Sequence, residues 1–385
     1  MSERMQFVSR LSKGERMVDL CREFGISRKT GYKFWERFQR QGVTALEDQS
    51  RARKQLAHKT PEAIEQLLVS ARTAHPSWGG RKLKDVLERD SPGLVLPSAG
   101  TIAAILKRHG LVEERKRRRW PSRYAGALTI AQGPNEVWAA DYKGQFRLGN
   151  RQYCYPLTAT DLHSRFILAV EALDGTDEEQ ARGVFEDIFS RYGLPLVMRT
   201  DNGTPFSSAH GLAGLTRLSA LWLRLGIRHE RIQPAHPEQN GQHERMHRTL
   251  KAETARPARS NLMQQQERFD DFRKEFNEKR PHEALDMKRP ADLYRPSDRP
   301  LPKPLPELQY PLHDDVLTVG RGGHIRLPGA RQVFLSNALV HQPVGLREEL
   351  DGRWLVTFAT LDLGMYDARS GTFDPIPPRP PAEAP

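Results

Sequence analysis

EVWAADYKGQF, residues 136–146, is where the chain changes character. Trp138, Ala140 and Tyr142 alternate with Ala139, Asp141 and Lys143, and that period of two predicts a strand with Asp141 on the face opposite Trp138 and Tyr142. QYCYPLTAT and RFILAVEAL follow as two further apolar runs, joined by DLHS as a turn. TDEEQARGVFEDIFSRYGLP then predicts a helix, with Thr176 and Glu179 as a capping box, Val184, Phe185, Ile188 and Phe189 as its apolar stripe, and Gly193 and Pro195 as its stop. LVMRT (196–200) is a short strand, LAGLTRLSALWLRLG a helix ending at Gly226, and IRHERIQ is strand-like. Residues 239–256 and 262–279 predict two more helices. The order is βββαβαβαα, an α/β core.

Upstream the periodicity is helical. In KGERMVDLCREFG, Met17, Leu20, Cys21 and Phe24 recur at helical spacing, and Gly25 ends the run. Ser27 can cap a helix to about Arg40, with Phe34, Trp35 and Phe38 inside and Arg28, Lys29, Tyr32 and Lys33 outside. Two helices joined by a short glycine turn, the second exposing basic residues near its start, predict a helix-turn-helix unit over residues 1–50. A plain helical hairpin with a basic face is the simpler alternative. A second helical unit, winged or helix-turn-helix in type, is expected over 58–112. Its three helices start at Thr60-Pro61, after SWGGR, and at Ser98, and the last stops at Gly110. ERKRRRWPSR, with Arg115, Lys116, Arg117, Arg118 and Arg119, reads as a phosphate-contacting linker within 113–133.

Charge follows this division. Residues 1–125 hold 27 Lys+Arg and 14 Asp+Glu, whereas residues 126–385 hold 33 and 34, so the whole formal net of +12 belongs to the first third. Such asymmetry points to a polyanion, and nucleic acid rather than a membrane, because no amphipathic or lipidation signal accompanies it. No apolar run is long enough to span a bilayer, and a cytoplasmic location is the default. Two cysteines, Cys21 and Cys154, exclude a disulfide framework and a multi-cysteine zinc site. After the core (134–295), prolines at 300, 302, 304, 306 and 311 predict a stiff linker over 296–311. Short β-rich runs over 312–373, with Asp351-Gly352 as a hairpin turn, predict a small β-barrel. The proline-rich tail, 374–385, is expected to be disordered.

Three acids occupy distinctive places in the core: Asp141 on its first strand, Asp201 at the end of its fourth in RTDNGTPF, and Glu244 early in the helix after its fifth. Taken singly, each has a plain explanation, as a surface residue, a turn residue before Asn-Gly, and an ion-pair partner for Arg248 four residues on. Taken together, three carboxylates brought to one rim repel unless divalent cations sit between them. Oxygen ligands with open positions suit Mg²⁺, and two such ions support in-line attack on a phosphodiester. His236, His243 and His247 do not complete a zinc site, because no cysteine or suitably spaced acid joins them. RPHEAL, with Arg280 and His282, reads as packing or a DNA backbone contact.

The ordered set PNEVWAADYKGQF, DLHSRF, RTDNGTPF, PAHPEQNGQHERMHRTLK and FNEKRPHEALDMKRPADLY resembles the catalytic core of bacterial insertion-sequence DDE transposases, within the retroviral integrase superfamily. The branch it most resembles is the insertion-sequence 481 family. The resemblance implies a ribonuclease-H-like core with Asp141, Asp201 and Glu244 as the catalytic, metal-binding triad, two Mg²⁺ ions as cofactor and Mn²⁺ as a substitute. It also implies that Lys251 contacts end DNA, that Asn202 and Gly203 shape the turn presenting Asp201, and that Asn240 and Gly241 start the catalytic helix. The 42 residues between Asp201 and Glu244 exceed the interval in many relatives, and SSAHGLAGLTR is the segment that absorbs the excess.

The function implied is a transposase that binds the terminal inverted repeats of an insertion sequence, cleaves its 3′ ends and joins them to target DNA. Its partners would be double-stranded DNA and at least one further copy of the chain, with no membrane and no small-molecule cofactor, in a bacterial cytoplasm near the nucleoid. The alternatives are a catalytically inactive DNA-binding regulator derived from a transposase, and a ribonuclease-H-like nuclease without strand transfer.

Overall fold

Ser27 accepts a hydrogen bond from the Thr30 amide at 3.1 Å and so starts the third helix of the first unit. The computed structural model describes residues 3–47, 60–112, 128–209, 211–233, 237–327, 332–350 and 352–376. The chain divides into two units, 1–62 and 63–385. In the first, α1 (Glu3–Ser12), α2 (Met17–Glu23) and α3 (Arg28–Gln41) enclose Phe7, Val8, Leu20, Cys21 and Leu46, with Phe34, Trp35 and Phe38 packed against them. Gly25 takes a φ of +63°, which lets the chain reverse between α2 and α3. A Cβ on Gly31 would sit 2.6 Å from Cys21 Sγ, so the two helices meet closely there. Arg28, Lys29, Tyr32 and Lys33 are all exposed on α3, as their spacing implies.

The second unit begins with α4 (Glu62–Ala74), α5 (Gly80–Asp90) and α6 (Ala99–Arg108), packed around Leu68, Trp78, Leu83, Ile102, Ile105 and Leu106. The basic linker residues Arg115, Lys116, Arg117, Arg118 and Arg119 lie outside the described residues. The core then runs β1 (Val137–Tyr142), β2 (Phe146–Arg147), β3 (Tyr153–Asp161), β4 (Ile167–Leu173), α7 (Glu178–Tyr192), β5 (Val197–Thr200), α8 (Arg217–Arg224), β6 (Arg228–Arg231), α9 (Gly241–Thr254) and α10 (Leu262–Glu278). Apart from the short β2, this is the expected order. The sheet runs β4-β3-β1-β5-β6, with β3 antiparallel to β1 and β4, and β1, β5 and β6 parallel. This mixed sheet is the one that the expected ribonuclease-H-like core calls for.

Strand alternation sorts the two faces. Trp138, Ala140, Leu157 and Ala159 pack with Phe185, Phe189 and Trp222 beneath α7 and α8. Cys154, Ile167 and Val170 pack with Met246, Leu250, Phe269 and Phe276 of α9 and α10. Asp141 therefore faces α9. One local expectation is displaced: the α7 cap is Asp177, whose carboxylate accepts from the Gln180 amide at 3.0 Å, and not Thr176. Asp offers a charged acceptor at the positive end of the helix, a stronger cap than the neighbouring threonine hydroxyl.

Beyond an extended proline-rich segment come β7 (Asp315–Thr318), β8 (His324–Arg326), β9 (Gln332–Phe334), β10 (Pro343–Leu350), β11 (Arg353–Phe358), β12 (Leu361–Asp367) and β13 (Thr372–Pro375). The expected barrel is not what forms. Among the described residues, β7-β10-β11-β12-β13 is an open antiparallel sheet, and β8-β9 is a separate pair. A sheet closes on itself when nothing else covers its apolar face. Here Val344, Leu346, Val356, Phe358, Leu363 and Tyr366 share one cluster with Leu215 and Ala220 at α8, so the core supplies the cover. Leu212, Ala213 and Leu215, from the SSAHGLAGLTR segment between Asp201 and Glu244, are part of that platform. Asp351 of the expected hairpin turn and residues 377–385 of the tail lie outside the described residues, while Gly352 has the positive φ of +77° that such a turn needs.

Candidate active site

Asp141 sits in register with Thr158 on the adjacent antiparallel strand β3, while β5 runs parallel to β1 on its other side and ends at Thr200, one residue before Asp201. The turn after β5 is built around that second acid. The Gly203 amide donates to Asp201 Oδ1 at 3.1 Å, and a Cβ on Gly203 would come within 3.2 Å of Oδ2. Asn202 Nδ2 donates to the Ile232 carbonyl at 2.7 Å, tying the turn to the end of β6. Asn240 is the N-cap of α9 and Gly241 its first residue, although the Asn240 side chain makes no capping bond. Its buried Oδ1 has no hydrogen-bond partner. Glu244 follows in the first turn of α9 and is exposed.

Asp141 and Glu244 line one cleft of about 490 Å³, together with Lys143, Arg248, Lys251 and Arg256. Asp201 is not in its lining, but its charge acts on Asp141. Burial first, then Asp201 and lastly Glu244, push the Asp141 carboxyl up to about 7, against the opposing pull of Lys143. The three carboxylates are thus electrostatically coupled without standing at common-ligand spacing. Among the described residues, the group of three ligand atoms within 4.8 Å of one another is Asp141, His243 and His247. The Glu244–Arg248 ion pair does not form among the described residues, and Lys143, Arg248, Lys251 and Arg256 share the cleft with the two acids without a close ion pair there.

Both histidines are buried and held neutral. Burial lowers His243 to about 3 and depresses His247 as well. Thr158 Oγ1 contacts the Asp141 carbonyl at 3.0 Å, His243 Nε2 at 2.7 Å and His247 Nε2 at 2.6 Å. A hydroxyl has one proton, and the carbonyl can only accept, so both imidazoles donate through Nε2. His243 Nδ1 then accepts from the Thr160 hydroxyl at 2.9 Å, leaving it no free nitrogen. His247 Nδ1 presents a bare lone pair 3.6 Å from Asp141 Oδ2. That lone pair and the Asp141 carboxylate are two donor groups that one cation could share. The expectation of no suitably spaced acid beside these histidines is corrected here: strand β1 brings Asp141 to ligand spacing from both, although His243 already has its two nitrogens engaged by threonines. His236, the third histidine of the zinc alternative, lies outside the described residues.

The expected Lys251 does lie in the cleft, whereas Arg28, Lys29, Tyr32 and Lys33 belong to the first unit. Sequence reasoning missed Thr158, Thr160, Lys143 and Arg256. The i, i+4 histidines on α9 and the i, i+2 threonines on β3 were the available signal, but their meeting depends on how α9 crosses the sheet.

Residues 131–237 and 225–290 match models of the integrase core domain. Residues 3–54 match a helix-turn-helix domain and residues 30–106 a homeodomain-like domain. The chain is 25% identical over 235 residues to the 39.2 kDa protein of insertion element IS476 from Xanthomonas euvesicatoria, covering 60% of this chain and 64% of that one. It is 28% identical over 196 residues to the Gag-Pol polyprotein of feline leukemia virus, covering 50% of this chain but 11% of the polyprotein. The chain thus spans less than two thirds of these relatives. Among solved structures, the HTLV-2 integrase catalytic core domain in complex with magnesium aligns at 16% identity and TM-score 0.34, over 43% of this chain and all of that one. A chain of the simian T-cell lymphotropic virus intasome in complex with the PP2A regulatory subunit B56 gamma aligns at 17% identity and TM-score 0.38, over 77% and 97%. The chain carries an integrase core domain preceded by helix-turn-helix domains, with a bacterial insertion-element protein and retroviral polyproteins among its relatives.

Proposed function

We propose that this chain is a DNA transposase, nearest in its motifs to the insertion-sequence 481 family, that cleaves the 3′ ends of an insertion sequence and joins them to target DNA. The observation that carries the proposal is the cleft in which Asp141 and Glu244 face Lys143, Arg248, Lys251 and Arg256 while Asp201 acts on Asp141 from the turn after the neighbouring strand. Asp141, Asp201 and Glu244 would hold two Mg²⁺ ions, with Mn²⁺ able to substitute. When bound, the ions supply activation of a water or 3′-hydroxyl and stabilise the leaving oxygen in an in-line displacement.

The chain's own residues do the rest. Asn202 and Gly203 hold the turn that aims Asp201, and Asn240 and Gly241 begin the helix that carries Glu244. The cations of the cleft, Lys251 among them, draw a phosphodiester backbone towards the acids. Arg28, Lys29, Tyr32 and Lys33 on α3 would read the terminal inverted repeats in the major groove, with the basic run Arg115, Lys116, Arg117, Arg118 and Arg119 on phosphates. Two element ends must be cut and joined together, which calls for at least two copies of the chain on paired ends. The reaction belongs in a bacterial cytoplasm, at the nucleoid.

The test is an assay of the purified full chain on duplex DNA carrying the element ends, with Mg²⁺. We expect 3′ cleavage followed by joining. Glu244→Gln is expected to abolish both while leaving DNA binding nearly unchanged. Joining by that variant, or binding without chemistry by the wild type, would overturn the proposal.

A further inference from the structure

Behind α9, on the flank away from the acid cleft, lies a second recess of about 130 Å³ that the transposase proposal leaves without a role. Four cations from four separate parts of the second unit converge on it: Lys82 of α5, Arg165 of the turn between β3 and β4, Arg245 of α9, and Arg280 after α10. The acids near them are already engaged. Asp161 accepts from the Ser164 amide and hydroxyl and from the Asn135 amide. Glu253 is paired with Arg280 at 3.0 Å, and Glu283 lies 3.9 Å from Arg81. Lys82, Arg165 and Arg245 make no ion pair among the described residues.

Like charges gathered with only partial compensation, here from Glu253 and Glu283, are costly, and the recess shows that cost. Burial first, then the Arg280 charge, lower Lys82 to about 8. Burial and the Arg245 charge also depress Arg165. His282 is 8% exposed, lines the same recess, and its Nε2 has no hydrogen-bond partner. Arg165 itself sits at φ +63°, a backbone position that glycine adopts without strain. A side chain kept there in spite of strain, aimed among other cations, is the arrangement expected of a group that waits for an anion.

We propose that Lys82, Arg165, Arg245, Arg280 and His282 form a second phosphate-binding pocket that takes a backbone phosphate of the bound nucleic acid, one flank of α9 away from the acid cleft. A nucleic-acid source is favoured because α9 divides the two cavities. Gln242, Arg245 and Thr249 line the recess, and Glu244, Arg248 and Lys251 line the cleft, so one strand laid across the exposed start of α9 meets both. Lys82 comes from the helical unit that packs on the core through His75–Glu275 at 2.9 Å and Ser77–Glu253 at 2.6 Å. A phosphate in the recess would therefore fasten that unit and the core to the same stretch of backbone.

The proposal rests on the nucleic-acid part of the function above and not on its chemistry, so the test is made in EDTA. Binding of duplex DNA to the full chain is followed by fluorescence anisotropy across a range of KCl. Lys82→Gln and Arg165→Gly are each expected to weaken binding by about tenfold at low salt. Each should also flatten the log–log salt dependence by about 0.9 for every backbone phosphate that the variant no longer neutralises. Arg165→Gly also removes the backbone strain, so its Tm should equal or exceed the wild-type value, which separates weakened binding from impaired folding. In a second arm, inorganic phosphate is compared with chloride at equal ionic strength. A Tm rise with phosphate that disappears in Lys82→Gln, with DNA affinity unchanged, assigns the recess to a free anion and overturns the nucleic-acid source. Unchanged affinity and salt slope in both variants, with no phosphate effect, overturn the pocket altogether. Failure of the wild type to bind duplex would instead overturn the nucleic-acid reading on which it stands.

Discussion

Asp141 is the residue at which burial, charge and hydrogen bonding meet. Its carboxyl is raised to about 7, so the folded state holds the proton more tightly than the unfolded chain does. The stability this allows is complete below the ordinary aspartate range and is lost as pH rises through about 7. In EDTA, Asp141→Asn is expected to remove that loss and to stabilise the protein by about 2 kcal/mol at pH 8, with little effect at pH 4. Denaturant melts at the two pH values check it, and equal stabilisation at both would refute the assignment. Adding Mg²⁺ at pH 8 should raise the Tm of the wild type but not of the variant. The acid itself was visible in the period-two pattern of its strand. Its partners Thr158 and His247 were not, because they lie 17 and 106 positions away in the chain and meet Asp141 only across β3 and α9.

At the scale of elements, local chemistry was mostly enough. Ser27 and Ser98 cap the helices their positions imply, each accepting from the amide three residues on. Gly25, Gly110, Gly193 and Gly226 all take positive φ at helix ends. The displaced cap of α7 shows the limit. TDEE offers two adjacent capping residues, and the choice between them depends on where β4 releases the chain. The structure places the capping bond on Asp177, so Asp177→Ala should cost about 1 kcal/mol and Thr176→Ala only a few tenths. Chemical denaturation of the two variants distinguishes them, and the reverse order would restore the sequence expectation.

For the whole molecule, the segment between Asp201 and Glu244 matters beyond its length. Its residues Leu212, Ala213 and Leu215 sit with α8 under the C-terminal sheet and share that sheet's core. The open sheet and this segment thus each cover apolar surface of the other. Leu215 is 5% exposed, and Leu215→Asp would bury an unpaired carboxylate in that packed layer. We expect a loss of about 2–4 kcal/mol and early proteolytic release of the C-terminal sheet, while the α7 side of the core stays protected. Limited proteolysis with mass spectrometry reads this directly, and an unchanged digestion pattern would show that the sheet stands without the platform.

What the sequence determined by itself was whatever depends on near neighbours: helix and strand periods, caps, glycine stops, the division of charge, and the three acids in their topological order. The element order by itself gave an α/β core, and the mixed parallel and antiparallel sheet was expected only through the resemblance that the ordered motifs carry. The tertiary structure alone decided which side chains face one another across elements. It joined Thr158 to two histidines of α9, left Asp201 outside the lining of the cleft, opened the expected barrel against α8, and gathered four cations behind α9. Each of these depends on packing between residues far apart in the chain. No window of sequence contains both partners.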